Sequence, residues 1–416
     1  MSASELLIGL LVLAYLGSIL VGGRTIRGFG LPSGAEYLLL GFAIGPHALG
    51  VVPSGLIDSF TPILIVGSSW LALVAGIGYL QVGERRVHLG RAFAGVLMAA
   101  LVGAGVTAAV YFGLGLFFPS LAELDRLLLA GSAGSVSCAT TRHAVRWVVE
   151  RHGAKGATAD ALADYARASV LVPALGLTVL FALAPDEGSS SLTLPSRIAA
   201  TLIVGVVLGL VATLLLGREF RRDESWGILL GTSLLGMGIA ARLGLSALST
   251  TFFLGLTVAL VSPHRSDVKT MVAPTEKPVM LPVALLAGAS VNPQAPYLMA
   301  LVTTGLLARL LLELVRGTLH GWFVARTRPA GALLGLGMVS TGAFSLASAV
   351  ALELRLPPEL GNSVLGYTVT SLLTGELLGP LLLRHTLLRV GDIIPGMQQT
   401  PPPPSVDPSR TSREAP

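Results

Sequence analysis

The sequence predicts an all-α polytopic membrane protein of about thirteen transmembrane helices. Three observations carry that prediction: apolar residues far outnumber charged ones, apolar runs of spanning length follow one another regularly, and basic residues keep to alternate loops. Of the 416 residues, 52% are hydrophobic and 12% charged, and mean hydropathy is +0.76. Soluble domains carry about 25% charged residues. Half that supply cannot solvate so large a globular surface, so lipid must cover most of it. The 50 glycines agree, since small residues let membrane helices approach closely. The net charge of +5 would suggest nucleic acid in a soluble protein. Here the basic residues fall in short loops between apolar runs, which is a topology signal, and no nucleic-acid partner is expected.

A helix needs about 20 apolar residues to cross the hydrocarbon core. Spans are predicted at roughly 5–23, 33–51, 61–81, 92–118, 127–149, 161–184, 197–217, 225–242, 245–261, 278–291, 298–320, 332–352 and 362–384. The first is not a secretory leader by its flanks: Glu5 and no basic residue begin it, while Arg24 and Arg27 follow. The seventh contains Gly205 and Gly209, a small-xxx-small contact motif. The tenth is short and holds Pro278 and Pro282, which predicts an irregular or kinked segment. Cys138 is the one cysteine, so no intrachain disulfide exists, and no metal-ligand spacing or cofactor motif is present.

Loop charges test the count. After odd-numbered spans come Arg24 and Arg27; Arg85, Arg86 and Arg91; Arg151 and Lys155; Arg218, Arg221 and Arg222; Arg265, Lys269 and Lys277; Arg326 and Arg328; and Arg384 and Arg389. After even-numbered spans only Arg126, Arg197, Arg242 and Arg355 appear, among acids such as Asp58, Glu123, Asp125 and Glu353. Losing or inventing a span would scramble this alternation. It predicts an outside N-terminus and an inside C-terminus in a multi-pass protein of the plasma (bacterial inner) membrane. From 391 to 416 the chain is polar and proline-rich, which predicts a disordered cytoplasmic tail.

Two spans hold small polar residues where Leu would be expected. The fifth contains GSAGSVSCATT (Gly131 to Thr141) and the twelfth GLGMVSTGAFSLAS (Gly335 to Ser348). They lie seven spans apart and so enter the membrane in opposite directions, as two inverted six-helix repeats joined by the seventh span would require. Gly and Ser clusters at mid-depth permit unwound backbone, and crossed discontinuous helices of this kind form substrate sites in transporters. Close-packed, unbroken helices are the other reading of the same residues.

Leu31-Pro32 with GAEYLLLGFAIGPHALGVV (Gly34 to Val52) resembles the second helix of the monovalent cation:proton antiporter superfamily. GYLQVGERRVHLGRAFAG (Gly78 to Gly95) is similar to its third-helix end and basic loop, and ELLGPLLLRHTL (Glu376 to Leu387) to its last helix. The likeness runs through nearly the whole chain, as a Kef-type membrane domain with no Gly-rich nucleotide motif after it. It implies the sodium/proton antiporter fold over residues 1–390, a dimerisation panel that makes a homodimer, and a core with crossed helices. It also implies exchange of a monovalent cation (Na+ or K+) for protons by acidic residues in that core. Those acids are missing here. Val172 and Pro173 stand where one or two aspartates, or Asn-Asp, are usual; Thr140, Thr141 and Arg142 stand in place of Thr-Asp-Pro, and Thr341, Gly342 and Ala343 in place of Arg-Gly-Glu.

Candidate pathway residues are therefore Thr140, Thr141, Arg142, Val172, Pro173, Ser340 and Thr341. Pro173 either breaks the sixth helix and bares carbonyls that bind a cation weakly, or merely kinks it. Arg142 either snorkels to the interface or places a fixed positive charge beside the crossing, which repels a cation and favours an anion. Arg309, Glu313 and Arg316 share one face of the eleventh span and are charge-coupling candidates, with Arg309 expected to pair with Glu313 one turn away. Glu36 is expected to be solvated near the interface, and Glu376 to lie nearer mid-depth. A secondary transporter with altered ion or coupling is the leading expectation; a non-transporting partner or sensor on the same scaffold is the alternative. Paired acids, a His-rich metal motif and a nucleophile–base pair are all missing from the sequence, so a membrane enzyme has little support.

Overall fold

The computed structural model describes residues 34–79, 81–82, 85–86, 89–184, 192–217, 221–323 and 329–393. The predicted first span and the chain beyond 393 lie outside these. Helices α1 (Ala35–Ile44), α2 (Ser54–Ser59) and α3 (Thr61–Ile77) come first, α3 opening on Pro62, where a missing N–H costs nothing. A two-residue antiparallel ladder, Gln81–Val82 with Arg85–Arg86, is the one strand pairing among the described residues. Then follow α4 (Leu89–Phe117), α5 (Glu123–Ser137), α6 (Arg142–His152), α7 (Ala157–Ala168), α8 (Leu171–Leu183), α9 (Leu194–Leu215), α10 (Arg222–Leu243) and α11 (Ala247–Val261). The last are α12 (Arg265–Val272), α13 (Glu276–Ser290), α14 (Leu298–Phe323), α15 (Leu333–Leu336), α16 (Ala343–Glu353) and α17 (Pro358–Arg389).

Each of the twelve later predicted spans coincides with a helix or a pair of helices. Among the described residues, five helices are long and apolar enough to cross a membrane: Leu89–Phe117, Ala157–Leu183, Leu194–Leu215, Arg222–Leu243 and Leu298–Trp322. The others are shorter or broken, apart from α17, which has the length (32 residues) but not the uniformly apolar composition. The tenth span differs from expectation: α13 runs on through Pro282, and the irregularity sits before it, in a 3-10 turn over Ala273–Thr275. Two residues at the head of the predicted tail are held by the fold. Asp392 accepts from the Thr158 and Ala159 amides at 3.1 and 2.9 Å, capping the start of α7, and Ile393 is buried.

The helices pack as two bodies. One contains α1, α3, α9, α10, α11 and α13; the other α4 to α8 and α14 to α17. The bodies meet chiefly where α3 lies on α16, and α8 on α9 and α11. Inside the first body the inverted repeat is visible at backbone level. A Cβ on Gly41 would collide with the Leu285 carbonyl, and one on Gly288 with that of Leu38. Seven spans away, a Cβ on Gly255 would meet the Leu73 carbonyl and one on Gly76 that of Phe252. The α1–α13 and α11–α3 contacts thus use the same device, a glycine three residues after the carbonyl that its partner's glycine touches. Gly205 and Gly209 likewise seat α9 against Thr250 and Thr257 of α11, so the small-xxx-small motif is used as a contact.

Candidate functional site

Both Gly/Ser-rich segments are broken. Helix α5 stops at Ser137 and α6 begins at Arg142; α15 stops at Leu336 and α16 begins at Ala343. The two non-helical stretches cross and bond to each other. The Thr141 amide donates to the Ser340 carbonyl at 2.8 Å, and Thr140 Oγ1 to the Met338 carbonyl at 3.2 Å. Gly342 permits the crossing, because a Cβ there would stand 2.7 Å from Thr141 Oγ1. Ser340 Oγ donates to the Gly375 carbonyl of α17 at 2.8 Å, tying the crossing to the last helix. Thr140, Thr141, Ser340 and Thr341 are all buried here, and Thr341 Oγ1, Ser345 Oγ and Ser348 Oγ have no protein partner.

The break in the sixth span touches the same place, but Pro173 acts less directly than expected. It is the third residue of α8, where its missing N–H leaves the Ser169 carbonyl to the Val172 amide at 3.2 Å. Ser169 Oγ in turn accepts from the Thr140 amide at 3.3 Å, and the Pro173 carbonyl accepts from Ser135 at 3.3 Å. Val172 is half-buried and brings no polar atom to the crossing.

Arg142 does not snorkel alone. Its guanidinium pairs with Glu276 at the start of α13, and His143 Nε2 lies 3.0 Å from the other Glu276 oxygen. Burial by itself would raise the Glu276 carboxyl; Arg142 and His143 outweigh it and hold it well below the usual carboxylate range. Glu276 was not singled out in the sequence, although an acid inside the basic 265–277 loop runs against the charge alternation and was a legible signal. Arg167 was missed as well; it is half-buried and donates to the Gly78 carbonyl at 3.0 Å. Asp164, fully buried beside Arg91 at 3.1 Å, is a third omission. Glu36 is half-buried, with its Oε2 shielded and without a protein partner, and so is not the fully solvated residue expected.

On α14 the charged stripe is buried throughout and extends to His320, four residues past Arg316, which stacks on Tyr165 at 3.9 Å. The expected Arg309–Glu313 pair is not formed. Glu313 accepts from Arg316 at 3.0 and 3.3 Å, while Arg309 donates to Ser371 at 2.5 Å and to the Val339 carbonyl. The reason is the break: Val339 lies in its non-helical stretch, where a carbonyl without an intrahelical partner is open to the guanidinium. Arg316 also donates to Thr140 Oγ1 at 3.2 Å, linking the stripe to the crossing.

A cavity with room of about 40 Å³ lies at the crossing, lined by Thr140, Thr141, Arg142, Gly342 and Ser345 among others. Past Arg142, Arg167 and Glu276, which line both, it meets a wider vestibule of about 580 Å³. No group of three or more His, Cys, Asp or Glu able to hold a metal occurs among the described residues.

No protein-family model and no curated protein matches the chain. Among solved structures it is similar to the sodium proton antiporter MjNhaP1 from Methanocaldococcus jannaschii at pH 8. The identity is 17% over 94% of this chain and 99% of that one, with a TM-score of 0.69. A second structure of that antiporter, from an electron-microscopy map, matches at 16% over 92% and 97%, with a TM-score of 0.67. The chain has the sodium/proton antiporter fold.

Proposed function

We propose, from the sodium/proton antiporter fold that the chain adopts, that it is a secondary transporter moving a monovalent cation, Na+ or K+, in exchange for protons. The observation that carries this reading is the pair of crossed helix breaks joined by the Thr141–Ser340 bond, with a small cavity beside them onto which Thr140, Thr141 and Ser345 face. Crossed breaks supply what an ion needs at mid-depth: free carbonyls, hydroxyls and helix ends in place of water. Thr140, Thr141, Ser340 and Thr341 provide the oxygens. One body carries these breaks, and its sliding against the other exposes the crossing to each side in turn.

Coupling departs from the family pattern. Exchange requires a carboxylate that binds the cation when ionised and the proton when neutral. Val172 and Pro173 cannot do this. Among the described residues, Glu276 is the carboxylate lining the crossing cavity, and Arg142 already neutralises it. A cation must displace Arg142, so exchange is expected to be weak. The vestibule faces the cytoplasm, the two copies of a homodimer meet through the first body, and the C-terminus is inside the bacterial inner membrane.

The test is reconstitution in liposomes with an imposed pH gradient. Addition of Na+ or K+ should dissipate the gradient slowly. Glu276→Gln should lower the rate by about tenfold or more, since a hydrogen bond to a charged group is worth about 1.5–3 kcal/mol, whereas Glu150→Gln should not. Absence of any ion-dependent proton movement would sink the exchange reading and leave a non-transporting membrane partner or sensor.

A further inference from the structure

The vestibule outside the crossing has a charge pattern that a cation route does not require. Five basic side chains line it, Arg142, Arg146, Arg167, Lys269 and Lys277, against two carboxylates, Glu150 and Glu276. Both acids are engaged: Glu276 with Arg142 and His143, Glu150 with Arg146 at 2.6 Å. The cations come from four different elements, α6, α7, α12 and α13, so tertiary structure gathers them. Arg167 and Lys269 are half-buried, where like charges are poorly screened by solvent. A cleft with walls of one sign concentrates ions of the other. Its room of about 580 Å³ falls in the range of about 300–1,000 Å³ found for small-molecule sites.

We propose that this vestibule binds a phosphate oxyanion. Two features select phosphate from among anions. Guanidinium forks match tetrahedral oxyanions through paired N–H donors, and a phosphate group brings a charge of about −1.5 to −2 to satisfy several cations together. The same chemistry is offered by a free phosphate compound and by an anionic lipid headgroup. An occupant lies across the way to the crossing and competes with Glu276 for Arg142, so it inhibits exchange. That consequence rests on the transport reading; the binding does not.

The experiment uses the purified full chain in neutral detergent. Pyrophosphate and inorganic phosphate are titrated against sodium chloride at matched ionic strength, with melting temperature and the change in tryptophan fluorescence that is lost in Trp147→Phe as readouts. Saturable binding beyond the chloride control is expected. Lys269→Gln/Lys277→Gln should weaken it about tenfold or more, in line with the loss of charge-assisted bonds, with ligand-free melting unchanged. Glu150→Gln should tighten it, and this arm decides the matter if the double variant melts early. In nanodiscs, pyrophosphate binding that persists in phosphatidylcholine and is suppressed in phosphatidylglycerol identifies the lipid headgroup as the occupant; equal binding in both identifies a free phosphate compound. Binding no stronger than chloride in both detergent and nanodiscs, or affinity indifferent to both variants, overturns the proposal. Inhibition of exchange by pyrophosphate in liposomes is read separately, so failed transport and failed binding are distinguishable.

Discussion

Glu313 shows how partner choice at one residue sets what a mutation does. Its carboxylate holds Arg316 in a site without solvent. Removing one member of a buried pair costs about 3–5 kcal/mol because the survivor keeps its desolvation penalty. Glu313→Ala and Arg316→Ala should each lower the detergent melting temperature, and the double variant should lose less than the sum of the two single losses. Arg309→Ala should couple to Glu313→Ala less strongly than Arg316→Ala does, because Arg309 is hydrogen-bonded to Ser371 and Val339 instead. Strong Arg309–Glu313 coupling in that cycle would contradict the geometry. Glu276 gives a pH dependence. Its folded pKa is depressed below the ordinary 4.5, so its stabilising contribution is present above that value and lost as pH falls through the folded one. Melting temperature in acid should therefore drop more steeply for the native chain than for Glu276→Gln. Lys269 is pushed down to about 8 by burial, then by Arg167, Arg142 and Arg146. Phosphate affinity should weaken as pH rises past that value, and less so in Lys269→Arg.

At the scale of the elements, the breaks and the glycine contacts carry different loads. The α5–α6 and α15–α16 breaks were legible in the Gly/Ser-rich strings because such residues neither fill a helix interface with bulk nor hold backbone strongly in a helix. The reciprocal glycine contacts were not legible, since Gly41, Gly76, Gly255 and Gly288 look like any other glycines in apolar runs. Only the approach of α1 to α13 and of α3 to α11 shows that backbone lies against backbone there. Gly41→Val or Gly255→Val should force these helices apart and cost about 1–3 kcal/mol, seen as earlier melting. Gly238→Val on α10, where a Cβ meets nothing within 4 Å, is the control and should be near neutral by the same measurement.

For the whole molecule, the alternation of loop charges predicts an orientation that experiment reads directly. Basic residues follow the odd-numbered spans, so a reporter fused after residue 390 should read cytoplasmic. A periplasmic signal would refute thirteen spans with an outside N-terminus. With the C-terminus inside, as proposed, the basic vestibule would face the cytoplasm, where free phosphate compounds and anionic headgroups are available.

The sequence by itself determined the membrane class, the positions of the later spans, the two broken helices and the absence of acids at 172 and 173. These are local or periodic properties: hydropathy over a span, charge per loop, and the residue types that a helix interior accepts. Tertiary structure alone decided which charges meet. Glu276 reaches Arg142 across 134 positions, and Arg309 reaches Val339 across 30 and Ser371 across 62. In a low-dielectric interior each charge must find the nearest compensating group. Which group is nearest depends on how helices distant in sequence cross, and spacing along one helix does not encode that.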